Sequence, residues 1–298
     1  MLFAQRAARS AYITSCACRD FYLSRIASAF PLFETRLPPF VLQAGLAKMI
    51  RAQIRGCVII CAICIKLTLT RMDKMDARKN WTQQQDQLRK ALSSKAHFDE
   101  AIALFLSQHA AVHTARISGG AGWSLHDEVL GGLSETQIKR VPRPGQNSIA
   151  WLLWHITRIE DMTINSLSLE QPQVWSLDWA ARLGYPLQDC GASMDETEVA
   201  DFSARICVPA LLEYRAAVGA GTRLAVAELN PARARETVAT STVQKLVAEG
   251  SITPKANWLF EYYTNRTRAF FLTRTATSHN FIHLNEAGRL AVKFASAA

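Results

Sequence analysis

Apolar residues recur at helical spacing along most of the chain and almost nowhere alternate. From Phe98 to Arg116, the residues Ile102, Phe105, Leu106, His109, His113 and Arg116 fall on one face of a helix, which Gly119, Gly120 and Gly122 then end. Ile149–Leu169 carries the clearest stripe, made by Ile149, Leu152, Leu153, Ile156 and Ile159. It follows the punctuation VPRPGQNS, where Asn147 or Ser148 can cap it. A third long helix is expected over Val208–Leu229, with Pro209 tolerated in the first turn. A fourth is expected over the aromatic-rich Pro254–Arg274. Shorter pieces are a polar lead-in at Trp81–Lys90, Trp123–Leu133, and Glu236–Glu249, which Gly250 ends.

Residues 171–201 break the pattern with Pro172, Gly184, Pro186 and Gly191. They read as a long crossover with a turn or two of helix near Trp179–Leu183. Ser193 or Asp195 is placed to cap the helix that follows. A connection of this length usually crosses a bundle or covers a site. Trp175, Trp179 and Tyr185 are expected over a pocket mouth. With no alternating runs and no hairpin turns, the class is all-α. No P-loop, dinucleotide fingerprint or nucleophile elbow is present.

The chemistry-bearing stretch is TSHNFIHLNEAGRL, Thr277–Leu290. His279, His283 and Glu286 follow the i, i+4, i+7 spacing that places side chains on one helix face. Ile282 and Leu290 make that face apolar, so it is expected to turn inward. Thr275–Ser278 is expected to break or kink the preceding helix, with Ser278 as cap. Buried imidazoles and a carboxylate need partners, and a divalent metal is one candidate. His155 lies beside the Ile149–Ile159 stripe, on the side of Arg158 and Met162. It is either a satisfied core histidine or the third partner this pair lacks. His109 and His113 form a second His-x-x-x-His pair. With no acid on their own face, they are read as hydrogen-bonders across the helices or along their rim; a place in a substrate pocket stays open.

Charge narrows the function classes. The chain of 298 residues has a formal net charge of +9. Residues 1–71 hold ten Lys/Arg against Asp20 and Glu34, a net of +8, which leaves +1 for the remainder. A near-neutral body has no electrostatic footprint for nucleic acid. Cysteine follows the same split: only Cys190 and Cys207 lie beyond residue 71, which suits a reducing compartment without disulfides.

Residues 1–71 are read first as an upstream extension, disordered or non-native, with the natural start at Met72 or Met75. Second comes an organelle transit peptide, since such peptides are Arg-rich and acid-poor. A membrane anchor is the weakest reading. The apolar run Cys57–Ile65 is bounded by Arg55 and Lys66, far short of the roughly 20 residues a span needs. Cys57, Cys61 and Cys64 match a spacing used for iron–sulfur clusters. Their apolar spacers, and the lack of a following strand–helix barrel pattern, make the match coincidental.

SIAWLLWHITRIEDM (Ser148–Met162) and TSHNFIHLNEA (Thr277–Ala287), in this order and separation, resemble the DinB-like (DinB/YfiT-like) family of metalloenzymes. The resemblance covers residues 75–293. It implies a four-helix bundle with a long crossover after the second helix. It also implies a divalent metal, zinc or nickel, held by His155, His279 and His283. Family members often carry Gln where this chain has Glu286. The carboxylate is thus an orienting group, a fourth ligand or a general base, and as a base it is the candidate catalytic residue. Relatives with assigned activities use small thiols in transferase or isomerase reactions. The expected partners are accordingly a small thiol and a small electrophile. A non-catalytic metal- or small-molecule-binding bundle with a stress-related role is the alternative. A cytoplasmic location follows, or an organelle if residues 1–71 are a transit peptide; a homodimer is left open.

Overall fold

Five helices place the residues that carry chemistry. A computed structural model describes residues 79–295 apart from Ala121. The readings on residues 1–71, including Cys57, Cys61, Cys64 and the start at Met72 or Met75, lie outside the described residues. Helix α1 covers 79–93, α2 Phe98–Val112, α3 Ile149–Glu160, α4 Val208–Ala227 and α5 Asn280–Ala295. Helix α2 packs on α4, α4 on α3, α3 on α5, and α5 on α2. Short helices fill the connections. Among the described residues there is no strand, only an isolated antiparallel bridge between Thr237 and Thr267. No helix among them is long and apolar enough to cross a membrane.

The local chemistry explains several boundaries. Ser148 Oγ accepts from Trp151 N at 3.0 Å and starts α3. Asp195 starts the helix Glu196–Arg205 through a capping box with Glu198. Pro209 sits in the first turn of α4, where its missing N–H leaves nothing unpaired. The short crossover helix is Leu177–Leu183, closed by Gly184 at φ 69°.

Three expectations need correction. Helix α3 is buried on every side, so its sequence stripe understates it. Its first half packs in a core with Leu125, Phe202, Leu211 and Leu284. Ile159, Met162 and Ile164 join a second core with Phe105, Val226, Leu246 and Phe271. Each such side chain stabilises the fold by about 1.5–3 kcal/mol on full burial. The polar residues Thr157, Arg158, Glu160 and Asp161 fall at the changeover. Second, Pro254–Arg274 is not one helix. It divides into Pro254–Ala256, Trp258–Tyr263 and Arg268–Thr273, with Asn265 at φ 61° in the break. Third, Thr275–Ser278 does not interrupt the last helix. Arg268–Thr273 runs through a π-helical stretch, Arg274–His279, directly into α5. Ser278 caps nothing; its hydroxyl donates to Gln85 Oε1 at 2.8 Å. A second π-helical stretch, Asp161–Ser168, continues α3. The π-helix is rare and marks functional sites often. Both stretches adjoin the histidines described below.

A buried ion pair ties the crossover to α3. Arg158 donates to Asp161 Oδ2 (2.8 Å), to the Tyr214 hydroxyl (2.7 Å) and to the Gln188 carbonyl (2.9 Å). The Asp161 carboxylate in turn accepts from the backbone N–H groups of Val174 and Trp175. Both ends of residues 173–188 are thereby fastened to one helix, which delivers the next residues to His155.

Candidate metal centre

His155, in the middle of α3, meets His279 and His283 at the start of α5. Ring centroids lie 5.0 Å apart for His155–His279, 5.2 Å for His155–His283 and 4.6 Å for His279–His283. One nitrogen from each ring falls within 4.8 Å of the other two.

Hydrogen bonds decide which nitrogens are free. His155 Nδ1 donates to the Cys190 carbonyl at 2.8 Å, and a carbonyl only accepts. Its proton is therefore on Nδ1, and Nε2 keeps its lone pair. His283 Nδ1 lies 2.9 Å from Glu286 Oε2, an ionised acceptor, so the Nδ1 of His283 carries a proton as well. A backbone carbonyl or carboxylate behind the imidazole is the usual support of a metal-binding histidine. His279 Nδ1 is buried without a hydrogen-bond partner, a costly state for a polar atom. Burial lowers the pKa of His155 to about 4, and the neighbouring His283 adds to the shift. Burial, with His155 and His283 beside it, also drives His279 well below its ordinary value. Both rings are neutral at pH 7, as ligation requires. The hydrogen bond from His283 holds Glu286 below the usual carboxylate range. Three imidazoles, two of them held neutral by burial, one anion and an orphaned nitrogen fit a divalent cation.

The expectation of an inward apolar face on α5 is corrected. Ile282 is 50% exposed. At 100° per residue, Asn280, Leu284, Ala287 and Phe294 form the buried stripe, while His279, His283 and Glu286 run along its edge. The His283 side chain stays 21% exposed. The three histidines sit where the core meets solvent, a place a ligand can reach.

Neighbours legible only in three dimensions hold the rings. Trp151 stacks on His155 at 4.8 Å and 9°. Gly191, at φ 71°, lets the chain turn under that indole, since a Cβ there would lie 2.9 Å from Trp151 Nε1. This turn presents the Cys190 carbonyl. Helix α1 is more than a lead-in: Trp81 stacks on Phe281 at 4.1 Å, and Gln85 bonds Thr277 and Ser278. Trp175, Trp179 and Tyr185 pack elsewhere, Trp175 on the Leu187 carbonyl, Trp179 on Tyr214 and Tyr185 on Phe202. Cys190 is the crossover residue that bonds His155.

His109 and His113 do hydrogen-bond across helices, as read, but the missing acid comes from α3. His109 Nε2 lies 2.9 Å from Glu160 Oε1 and His113 Nε2 2.8 Å from Glu160 Oε2, all fully buried. Glu160, an acid inside a largely apolar helix, was the sequence signal for this cluster.

A crystal structure of a conserved protein from Enterococcus faecalis is similar at 18% identity and a TM-score of 0.41, over 64% of this chain and 96% of that one. Among curated proteins none matches. The sequence profile of the DinB superfamily matches residues 120–287, more than half of the chain, and spans His155, His279 and His283. The chain, all-helical over its described residues, belongs to the DinB superfamily, whose members are often metal-binding.

Proposed function

We propose that the protein holds a divalent metal, zinc or nickel, through His155, His279 and His283, and transfers a small thiol to an electrophile. The observation that carries this reading is the pair of fixed tautomers. The Cys190 carbonyl and the Glu286 carboxylate each take an Nδ1 proton, leaving the lone pairs of His155 and His283 beside a third, unpartnered histidine. A metal held by these three imidazoles would supply Lewis acidity, making a thiol or water a better nucleophile near pH 7.

The protein's own groups do the remainder. Trp151 and the Cys190 carbonyl keep the His155 ring from turning. Glu286, ionised and partly exposed, accepts the proton that the thiol gives up. The sulfur forms a bond to the electrophilic carbon, and the leaving group departs with its electron pair. Residues 75–293 constitute the functional unit in this reading, acting in the cytoplasm.

A non-catalytic binding role is favoured by one observation. The surface depression of about 590 Å³ between Leu125–Leu130 and α5 is lined by Val129, Gln137, Gly288 and Arg289, and by none of the three histidines. Elemental mass spectrometry tests both readings on full-length protein purified without chelator or a histidine tag. The expected result is about one metal per chain, lost in His283→Ala. No metal in either protein, even after soaking with zinc and nickel, ends both readings. Metal without turnover across a panel of thiols and electrophiles leaves the binding role.

A further inference from the structure

We propose that Glu160 is a positioning residue, whose carboxylate locks α5 against α3 and so sets the separation of His155 from His279 and His283. The inference rests on the metal reading for its purpose and on the geometry below for its substance.

The Glu160 carboxylate accepts four hydrogen bonds from three other helices. His109 and His113 donate from α2, the Thr222 hydroxyl from α4 at 2.8 Å, and Asn280 Nδ2 from α5 at 3.0 Å. Glu160 lies five residues after His155 on one helix, and Asn280 directly follows His279 on the other. The Glu160–Asn280 bond therefore runs between the two elements that carry the three histidines, within about two turns of all of them. Arg215 completes the lock. Its guanidinium donates to Asn280 Oδ1 at 2.8 Å and to the Val112 carbonyl at 2.8 Å, so the Asn280 amide is held at both ends. Both π-helical stretches end at this point: one begins at Asp161, the next residue after Glu160, and the other finishes at His279. The Glu160–Asn280 bond thus sits where both helices change their turn, and it ties the two at that point.

The same groups, His109, His113 and Glu160, lie close enough to hold a metal themselves. Two facts argue for a lock instead. The four acceptor directions of the carboxylate are already filled. The Glu160 charge is also matched by buried Arg215, so a dication would leave excess positive charge in a fully buried place.

The test uses full-length protein with Glu160→Gln, Asn280→Ala and, as a stability control in the second core, Leu246→Ala. Cobalt(II) titration reads affinity and the visible band of the bound ion. Nitrogen NMR of the metal-free histidines reads ring environment. Glu160→Gln and Asn280→Ala are each expected to lose roughly ten- to a hundredfold in affinity, the range for groups that orient metal ligands, with a shifted visible band. Leu246→Ala, lowered in Tm, is expected to keep wild-type affinity and band. Asn280→Ala decides the matter if Glu160→Gln does not fold. Folded variants with unchanged affinity and unchanged His155 and His283 nitrogen signals overturn the proposal. Two metals per chain, one of them lost in His113→Ala, also overturn it, because Glu160 would then be a ligand. A wild type that binds no cobalt refutes the metal reading alone. The nitrogen signals of His155 and His283 then carry the test, moving in the variants if Glu160 positions these rings and staying if it does not.

Discussion

The chain contains two His-x-x-x-His pairs, each joined by a residue from α3, and their surroundings make them different things. At His109 and His113 both Nε2 atoms meet the Glu160 carboxylate, and every ring is sealed. At His279 and His283 the third member is an imidazole, His155, and the supporting acceptors lie behind His155 and His283. In the first cluster an anion consumes the nitrogens. In the second, acceptors on the far side of two rings free the nitrogens that face inward. The spacing of two histidines thus says little about ligation; the position of the acceptor decides it.

The sharpest way to break this contrast is to remove the anion. Glu160→Ala leaves Arg215 uncompensated and two histidines unpaired in a dry core. It should destabilise the fold by about 3–5 kcal/mol, read by urea unfolding. A cost below about 1 kcal/mol would mean that the sealed cluster contributes no more than an ordinary hydrogen bond.

Acid should weaken both clusters, since burial depresses His155 and His279 as well as His113, so the share of the sealed cluster is read by difference. Burial pushes His113 down to about 3 in the folded protein, against 6.5 for the free side chain. The unfolded chain binds more protons between these values, so stability is full above pH 6.5 and falls as pH drops toward 3. Its His109 and His113 partners hold Glu160 well below the usual carboxylate range despite burial. That contribution is present above pH 4.5 and is lost below it, in the same direction. The slope from His113 alone approaches about 1.4 kcal/mol per pH unit. It should vanish in His113→Gln if the assignment is right, as equilibrium unfolding from pH 7 to pH 4 would record.

A smaller effect is expected behind the open cluster. Glu286→Gln keeps the shape but weakens the acceptor for His283 Nδ1, and should lower metal affinity about tenfold, measured by competition with a chelating dye. An unchanged affinity would remove Glu286 from the support of that ring. The smallest effect belongs to Ile282→Ser, half exposed on the outer side of α5. Thermal unfolding should register less than about 0.5 kcal/mol. A much larger loss would restore the inward-facing reading of that residue.

Much of the fold was legible in particular residues. The helix that begins at Ile149, the Ser148 cap and Pro209 in the first turn of α4 all match the structure, because each is a local effect of backbone and neighbour. The break at Asn265 and the unbroken run from Arg268 to Ala295 were not legible. There the π-helical turn and the contacts of Thr277 and Ser278 with Gln85 override the local breaking signals. The candidate site shows the same division. Its three histidines stood out by spacing and by resemblance. Trp151 and the Cys190 carbonyl carried no signal, since a ring stack and a backbone acceptor leave no mark in side-chain identity.

The sequence by itself determined that the body of this chain is helical, that it carries two His-x-x-x-His pairs, and that most of its net positive charge lies in residues 1–71. Periodicity, motif spacing and charge are properties of one strand of text. Only the tertiary structure decided which histidines keep a free nitrogen, that α5 turns its site face to the edge of the core, and that Glu160 closes the other pair. Apart from the local Glu286–His283 bond, these depend on where acceptors more than 30 residues away along the chain come to rest, as Cys190 does for His155 and Glu160 for His109 and His113. Hydrogen bonds of that separation are made by packing, and helical spacing does not encode them.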